Sequence, residues 1–407
     1  MSTQLDHRRG AALVTFVDRD GAPLAGKAVR YEQLTHQFLF GFGAFDAVDL
    51  AGEDLLLERK AALMDRMSKM LALFNYGTLP FYWGRFEPEE GEPQTEALLR
   101  AADWLRGRGV MVKGHPLCWH TVCAPWLMRY DNPTILQKQL ARIRREAADF
   151  RGRIDTWDVI NEVVIMPVFD RYDNAVTRIA KDLGRVGIVR AVFEAARETN
   201  PGATLILNDF DMSPAYERLI ADCLDAGVRI DVIGLQSHQH QGYWGMDKLQ
   251  DVLRRFSRFG LPLHFTENTL ISGDLMPRHI VDLNDWQVKD WPSTPEGEER
   301  QAREVEEMYT ALFTHPRVEA VTVWDAVDGK WLNAPSGLLR RDNSEKPAYE
   351  RLDELINGQW KSRGSLVTDA QGRAELKGFL GGYELRLDGR EARYTLTQGE
   401  AQARVTL

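Results

Sequence analysis

The chain has 407 residues, 44% of them apolar and 27% charged, with a formal charge of −9. That balance gives ample material for a core and excludes disorder as the main state. The acidic charge excludes the clustered positive field a nucleic-acid backbone demands, and the apolar runs fall far short of the ~20 residues of a membrane span. Eleven Trp is a high count and predicts that some indoles form a binding surface. Three Cys (Cys118, Cys123, Cys223) cannot build a disulfide framework and fit reduced thiols. The first ten residues hold no apolar h-region, so a cytoplasmic location is expected; secretion with the signal already removed is the alternative.

In chain order, residues 1–35 read as β-strands. Ala11–Val17 and Lys27–Gln33 are strand-like, and Asp18-Arg19-Asp20-Gly21 between them reads as a turn. Residues 36–357 alternate between apolar and amphipathic stretches. The strand candidates are Phe38–Phe42, Met70–Tyr76, Val110–Gly114, Asp155–Ile160, Thr204–Leu207, Asp231–Leu235, Leu261–Phe265 and Ala320–Val323. Helical stretches separate them: Glu53–Lys69, Thr95–Arg108, Thr134–Phe150, Gly184–Thr199, Tyr216–Ala226, Met246–Phe259 and Glu296–Thr314. Eight strands with intervening helices predict an α/β fold, a (β/α)8 TIM barrel. A doubly wound sheet, the alternative, would favour a Gly-rich phosphate loop after its first strand, and Gly41-Phe42-Gly43 begins no such pattern. Residues 358–407 return to short strand-like segments at Ser365–Val367, Ala374–Leu376, Tyr383–Leu387 and Ala392–Leu396. The two ends together predict one small β-sandwich-like accessory domain, with two separate terminal hairpins as the alternative. Its expected role is a structural brace; Trp360, Phe379 and Tyr383 are its candidates for a sugar contact.

A TIM barrel carries its active site at the C-terminal ends of its strands. Those ends read Gly114-His115-Pro116-Leu117-Cys118-Trp119-His120 on strand three and Trp157-Asp158-Val159-Ile160-Asn161-Glu162 on strand four. Asn208-Asp209-Phe210 follows strand five, Gln236-Ser237-His238-Gln239-His240 strand six, Thr266-Glu267 strand seven, and Trp324-Asp325 strand eight, with Trp331 beyond. Glu162 and Glu267 lie three βα units apart, on strands that face each other across a barrel mouth. Paired carboxylates are what glycoside hydrolysis needs: one protonates the leaving oxygen, the other attacks or activates water. Indoles offer flat faces to sugar rings, and Asn, Gln and His bind hydroxyls. A barrel-mouth salt-bridge partner is the bland reading of a single Glu in such a place.

These motifs resemble glycoside hydrolase family 10, the xylanase family. The residues that carry the resemblance are 114–120, 157–162, Ile-Gly-Leu-Gln-Ser-His (233–238), Phe-Thr-Glu (265–267), Val-Trp-Asp (323–325) and Glu-Lys-Pro-Ala-Tyr (345–349). The resemblance covers the barrel segment and not the termini. It implies a retaining β-glycoside hydrolase of endo-1,4-beta-xylanase type, acting by double displacement on a β-linked oligosaccharide or glycoside, with no cofactor and no metal. It implies Glu162 as general acid/base and Glu267 as nucleophile. Asn161 would hold the sugar's 2-hydroxyl, with His115, Trp119, Gln236 and His238 shaping the same subsite and His238 bonded to the nucleophile. Trp324 and Trp331 would wall it, with His120, Asn208 and Asp209 in support.

One motif departs. The family pattern Glu-Asn-x-Met-Lys-Trp reads Thr78-Leu79-Pro80-Phe81-Tyr82-Trp83 here, although Glu87-Pro88-Glu89-Glu90-Gly91 follows as expected. Thr78, Leu79 and Tyr82 thus replace three groups that bind the glycone sugar, with Tyr82 remaining a candidate contact. An alignment that slides Asn75 onto the family Asn loses the Trp83 anchor. The departure points toward short, decorated or plant-type β-glycosides, with Trp126, Trp244 or Trp331 holding an apolar aglycone. Two readings of another class are a non-catalytic carbohydrate-binding protein and a metal hydrolase using the His115/His120 and His238/His240 pairs.

Overall fold

The computed structural model describes residues 5–52 and 55–407. Residues 1–4, part of the stretch read for an export signal, and Glu53, expected to open the first long helix, lie outside them. Eight strands form a closed barrel: Leu39–Gly43, Tyr76–Pro80, Met111–His115, Thr156–Asn161, Thr204–Asp209, Val232–Leu235, Leu263–Leu270 and Val318–Val323. Each pairs with the next, and the eighth returns to the first. Strands four and seven are buried along their whole length, as barrel strands covered on both faces must be. A two-residue strand, His238–Gln239, adds to the C-terminal end of strand seven at Thr269 and Leu270.

Two expected elements are corrected. Met70–Tyr76 is not the second strand: Met70 and Leu73 close the helix Leu57–Leu73, and the strand is Tyr76–Pro80. Met67, Met70 and Leu73 face the core at helical spacing, and a short apolar run cannot by itself distinguish that from a buried strand. The helical stretch expected from Gly184 begins at Ala175, where Asn174 caps it by accepting from Thr177 N. It passes through Gly184 at φ 68°, where two helices join.

The terminal segments form two sheets of one sandwich. Arg9–Val17 lies between Arg373–Phe379, antiparallel, and Gln402–Thr406, parallel. Ala28–His36 lies between Arg363–Val367 and Gly381–Leu387, with Arg390–Leu396 at the edge. Val14, Phe16 and Leu376 of one sheet meet Val29, Tyr383 and Leu385 of the other in a single buried cluster. The strand Gln402–Thr406 was not among the expected ones; only its Val405 is buried, so its apolar signal is weak. The turn at 18–21 is closed by Asp18 Oδ1, which accepts from Asp20 N and Ala22 N.

Two compact units result, one of residues 5–39, 309–316 and 350–407, the other of 40–308 and 317–349. The boundaries expected at 35/36 and 357/358 therefore move to 39/40 and 349/350. His36 still pairs with Gly381, Gln37 N donates to Leu380 O, and Trp360 stacks on Phe313 at 4.2 Å. These contacts keep those segments with the sandwich unit.

Candidate active site

The ends of strands four and seven are irregular where the two glutamates sit. The register between strands four and five shifts between Asp158 and Ile160, and that between strands seven and eight shifts between Phe265 and Asn268. Such bulges re-aim side chains at a barrel rim. Glu162 itself adopts φ 60°, a strained value for a non-glycine residue. It is held there by Glu162 N donating to Asn208 O, and by Asp209 Oδ2, which accepts from Val164 N two residues on.

A continuous hydrogen-bond chain joins the two carboxyls. Trp119 Nε1 donates to Glu162 Oε2 at 2.8 Å, and Gln236 Nε2 donates to Glu162 Oε1 at 3.1 Å. Gln236 Nε2 also reaches Asn161 Oδ1, which accepts from Asn208 Nδ2 as well. The same Asn208 amide donates to Glu267 Oε1 at 2.8 Å. Asn208 is fixed in turn by Thr266 Oγ1, which donates to its Oδ1 at 2.7 Å. Gly234 makes room for it, since a Cβ there would stand 2.4 Å from Asn208 Oδ1.

The two carboxyls differ in charge state. Burial pushes Glu162 up to about 8, against the donated bonds of Trp119 and Gln236, with the Glu267 charge adding to the rise. Burial acts the same way on Glu267, but His115, the hydrogen bond from His238 and the Lys113 charge outweigh it and hold it below the ordinary carboxylate value. His238 Nε2 lies 3.2 Å from Glu267 Oε2, and His115 Nδ1 lies 3.9 Å from Oε1. One carboxyl that keeps its proton near neutrality, beside one that stays ionised, can donate a proton to an oxygen while the other attacks carbon.

Around this pair, Tyr82 packs on His115 and Trp119 with ring centroids 5.7 and 5.6 Å away. Trp324 packs edge-on to His115 at 5.2 Å, and Trp331 lies 4.5 Å from His238. His120 is buried against Phe169, and burial pushes it down to about 4. Asp209 turns its oxygens to backbone amides of Val164 and Asp211. Trp126 and Trp244 are engaged elsewhere: Trp126 Nε1 donates to Glu87 O and its ring meets Trp83, while Trp244 lies under Lys248. Of the three indoles expected to hold an aglycone, Trp331 is the one packed on a site histidine. His240, the second member of the His238/His240 pair, is fully buried.

Three residues with a part in the site were given no role from sequence. Lys113 Nζ and His115 Nδ1 converge on buried Asp158 Oδ2 at 2.7 and 2.6 Å. The Lys113 charge and the hydrogen bond from His115 hold Asp158 ionised against its burial. A lysine inside the apolar run Val110–Gly114 was the signal available for it, since buried lysine needs a partner. Thr269 sits with His240 behind His238, and nothing in the local spacing of Thr269 marks it.

Asn75 lies away from the two glutamates: its Oδ1 accepts from Phe40 N at the start of strands one and two. Further along the same segment, Trp83 Nε1 donates to Glu87 Oε2. Thr78 and Leu79 are fully buried.

A closed barrel with two carboxyls of opposite readiness at its C-terminal mouth defines a glycoside hydrolase. The sequence profile of glycosyl hydrolase family 10 matches residues 40–355, and the chain belongs to that family. Endo-1,4-beta-xylanase B of Paenibacillus barcinonensis is 28% identical over 262 residues, covering 60% of this chain and 75% of that one. Endo-1,4-beta-xylanase A of Xylanibacter ruminicola is 26% identical over 275 residues, covering 60% and 73%. Native xylanase 10B from Thermotoga maritima superposes with a TM-score of 0.63 at 22% identity, covering 79% of this chain and 96% of that one. Xylanase 10B from Thermotoga petrophila RKU-1, solved in complex with xylobiose, gives 0.63 at 21%, covering 79% and 95%. At such identities the structural likeness shows the shared barrel.

Proposed function

We propose that the chain is a retaining β-glycosidase of endo-1,4-beta-xylanase type, with Glu162 as acid/base and Glu267 as nucleophile. The observation that carries this is the hydrogen-bonded chain from Glu162 through Gln236, Asn161 and Asn208 to Glu267. In the first step Glu267 attacks the anomeric carbon, the bond to the leaving oxygen breaks, and Glu162 gives that oxygen its proton. In the second, Glu162 takes a proton from water, whose oxygen displaces Glu267 from the sugar. Xylosyl substrates are supported by the named activities of the relatives and by the xylobiose bound in one of them. Two experiments test the mechanism. Fresh product from a β-linked substrate is the β-anomer by NMR, and initial α-anomer rejects double displacement. Azide added to Glu162→Ala with an activated aryl glycoside restores turnover and yields the β-glycosyl azide.

A second reading concerns the glycone. Tyr82, with the buried Thr78 and Leu79, stands where the family motif carries Lys, Glu and Asn. Loss of two or three polar contacts at about 0.5–1.5 kcal/mol each weakens plain xylo-oligosaccharide binding by about one to three orders of magnitude. Short, decorated or aryl β-glycosides gain from Tyr82 and from Trp331. The test is kcat/KM on polymeric xylan against such glycosides, for the wild type, Tyr82→Lys and the combined Thr78→Glu, Leu79→Asn, Tyr82→Lys variant. Ordinary activity on xylan with no gain in either variant overturns this reading. Leu79→Asn alone lowers Tm, because it places an amide in a closed apolar site.

A further inference from the structure

Behind the nucleophile, with both imidazoles neutral, the protons have one consistent arrangement. Thr269 Oγ1 is 3.5 Å from His238 Nδ1 and 3.3 Å from His240 Nδ1, and it accepts from Gln239 N at 3.0 Å. A hydroxyl has one proton and two lone pairs. The Gln239 amide fills one lone pair, so one imidazole must accept the hydroxyl proton and the other must donate into the second lone pair. The opposite nitrogen of His238 decides which. Its Nε2 faces Glu267 Oε2 at 3.2 Å, and an ionised carboxylate only accepts. In a neutral His238 ring Nε2 therefore carries the only proton, Nδ1 is bare, and the Thr269 hydroxyl points to it. His240 is then the donor, with its proton on Nδ1 and its Nε2 bare.

His240 fits that assignment. Its Nε2 is buried with no hydrogen-bond partner among the described residues, and its ring lies between Trp291 and Trp331, 6.1 and 4.9 Å away. An under-used acceptor is tolerated in such a place better than an orphaned N–H. The ring is fully buried, and desolvation keeps it neutral.

We propose that Thr269 and His240 are positioning residues that hold His238 in the tautomer whose proton, on Nε2, is aimed at Glu267. The tautomer of an imidazole is set by the bond its other nitrogen makes. Without the Thr269 hydroxyl, the proton of His238 is free to occupy Nδ1, which would turn a lone pair toward the nucleophile. The consequence for turnover rests on Glu267 being that nucleophile; the tautomers themselves do not.

The test reads both separately. The nine histidines are labelled with 15N, and long-range 1H–15N correlation assigns each ring's tautomer. The signals lost in His238→Gln and His240→Asn identify the two rings. At neutral pH the free enzyme shows His238 protonated on Nε2 only and His240 on Nδ1 only. His240 protonated on Nε2, or His238 protonated on Nδ1 or on both nitrogens, overturns the proposal. In Thr269→Val, kcat on an aryl β-xyloside falls about tenfold while KM stays within about twofold, as loss of one bond oriented toward the reacting carboxylate requires. His238 then shows a mixture of tautomers, and Thr269→Ser restores both properties. A folded Thr269→Val with wild-type kcat or an unchanged His238 tautomer overturns the assignment, and if that variant fails to fold the wild-type spectrum decides. An enzyme inactive on xylosides but showing the expected tautomers refutes the proposed function and leaves the arrangement standing.

Discussion

Glu162 and Glu267 are the same residue type in the same fold position, and their surroundings give them opposite chemistry. For a neutral substrate, kcat/KM rises with pH as Glu267 ionises, below the usual carboxylate value of 4.5, and falls as Glu162 ionises near 8. Stability carries the same signature. A carboxyl whose value is raised in the folded state binds its proton more tightly there than in the unfolded chain. Its burial therefore costs stability as pH rises from about 4.5 to about 8. Glu162→Gln, which stays neutral, gains in Tm relative to the wild type at pH 9 and not at pH 4, measured by calorimetry in matched buffers. An equal shift at both pH values shows that Glu162 is not desolvated as described.

The irregular strand ends depend on a few buried acceptors. Asp209 closes strand five and takes the amides of Val164 and Asp211, so it fixes the turn that starts at Glu162 with its positive φ. Asp209→Ala leaves two N–H groups without that acceptor. At about 1–3 kcal/mol for each group that stays dry, Tm falls and the Glu162 carboxyl loses its aim. Urea unfolding together with kcat on an aryl glycoside checks this; a variant as stable and active as the wild type shows that the turn holds itself. Helix ends follow more local rules. Asp131 caps the helix Asn132–Asp149 by accepting from Thr134 N, and Ser213 caps Pro214–Asp225. Both caps are followed by Pro at the first turn, a pattern visible in sequence.

At the scale of the molecule, the first and last segments of the chain meet in one sheet. Arg9 pairs with Phe379, across nearly the whole sequence, and Phe16 is fully enclosed in the resulting core. Phe16→Ala opens a cavity there at a cost of about 3–5 kcal/mol. The expected result is an earlier thermal transition and faster amide exchange in Arg9–Val17 and Arg373–Phe379. Unchanged exchange in both strands means that the two sheets do not share that core.

The order of elements and the residue types at the strand ends were legible in the sequence. Apolar periodicity is a local property, and motifs such as 157–162 and 233–238 carry their chemistry in adjacent residues. Met70–Tyr76 was misread because an apolar run on a buried helix face looks like a strand until its neighbours are known. The Lys113–Asp158 ion pair with His115 beside it, the Asn208 bridge and the Thr269–His240 pair appear only in three dimensions. Each joins residues of different barrel strands or strand ends, and each depends on distances that only strand pairing sets. The split between Glu162 and Glu267 belongs to the same kind. It comes from burial and from charges brought alongside by folding, and no residue type carries that information alone.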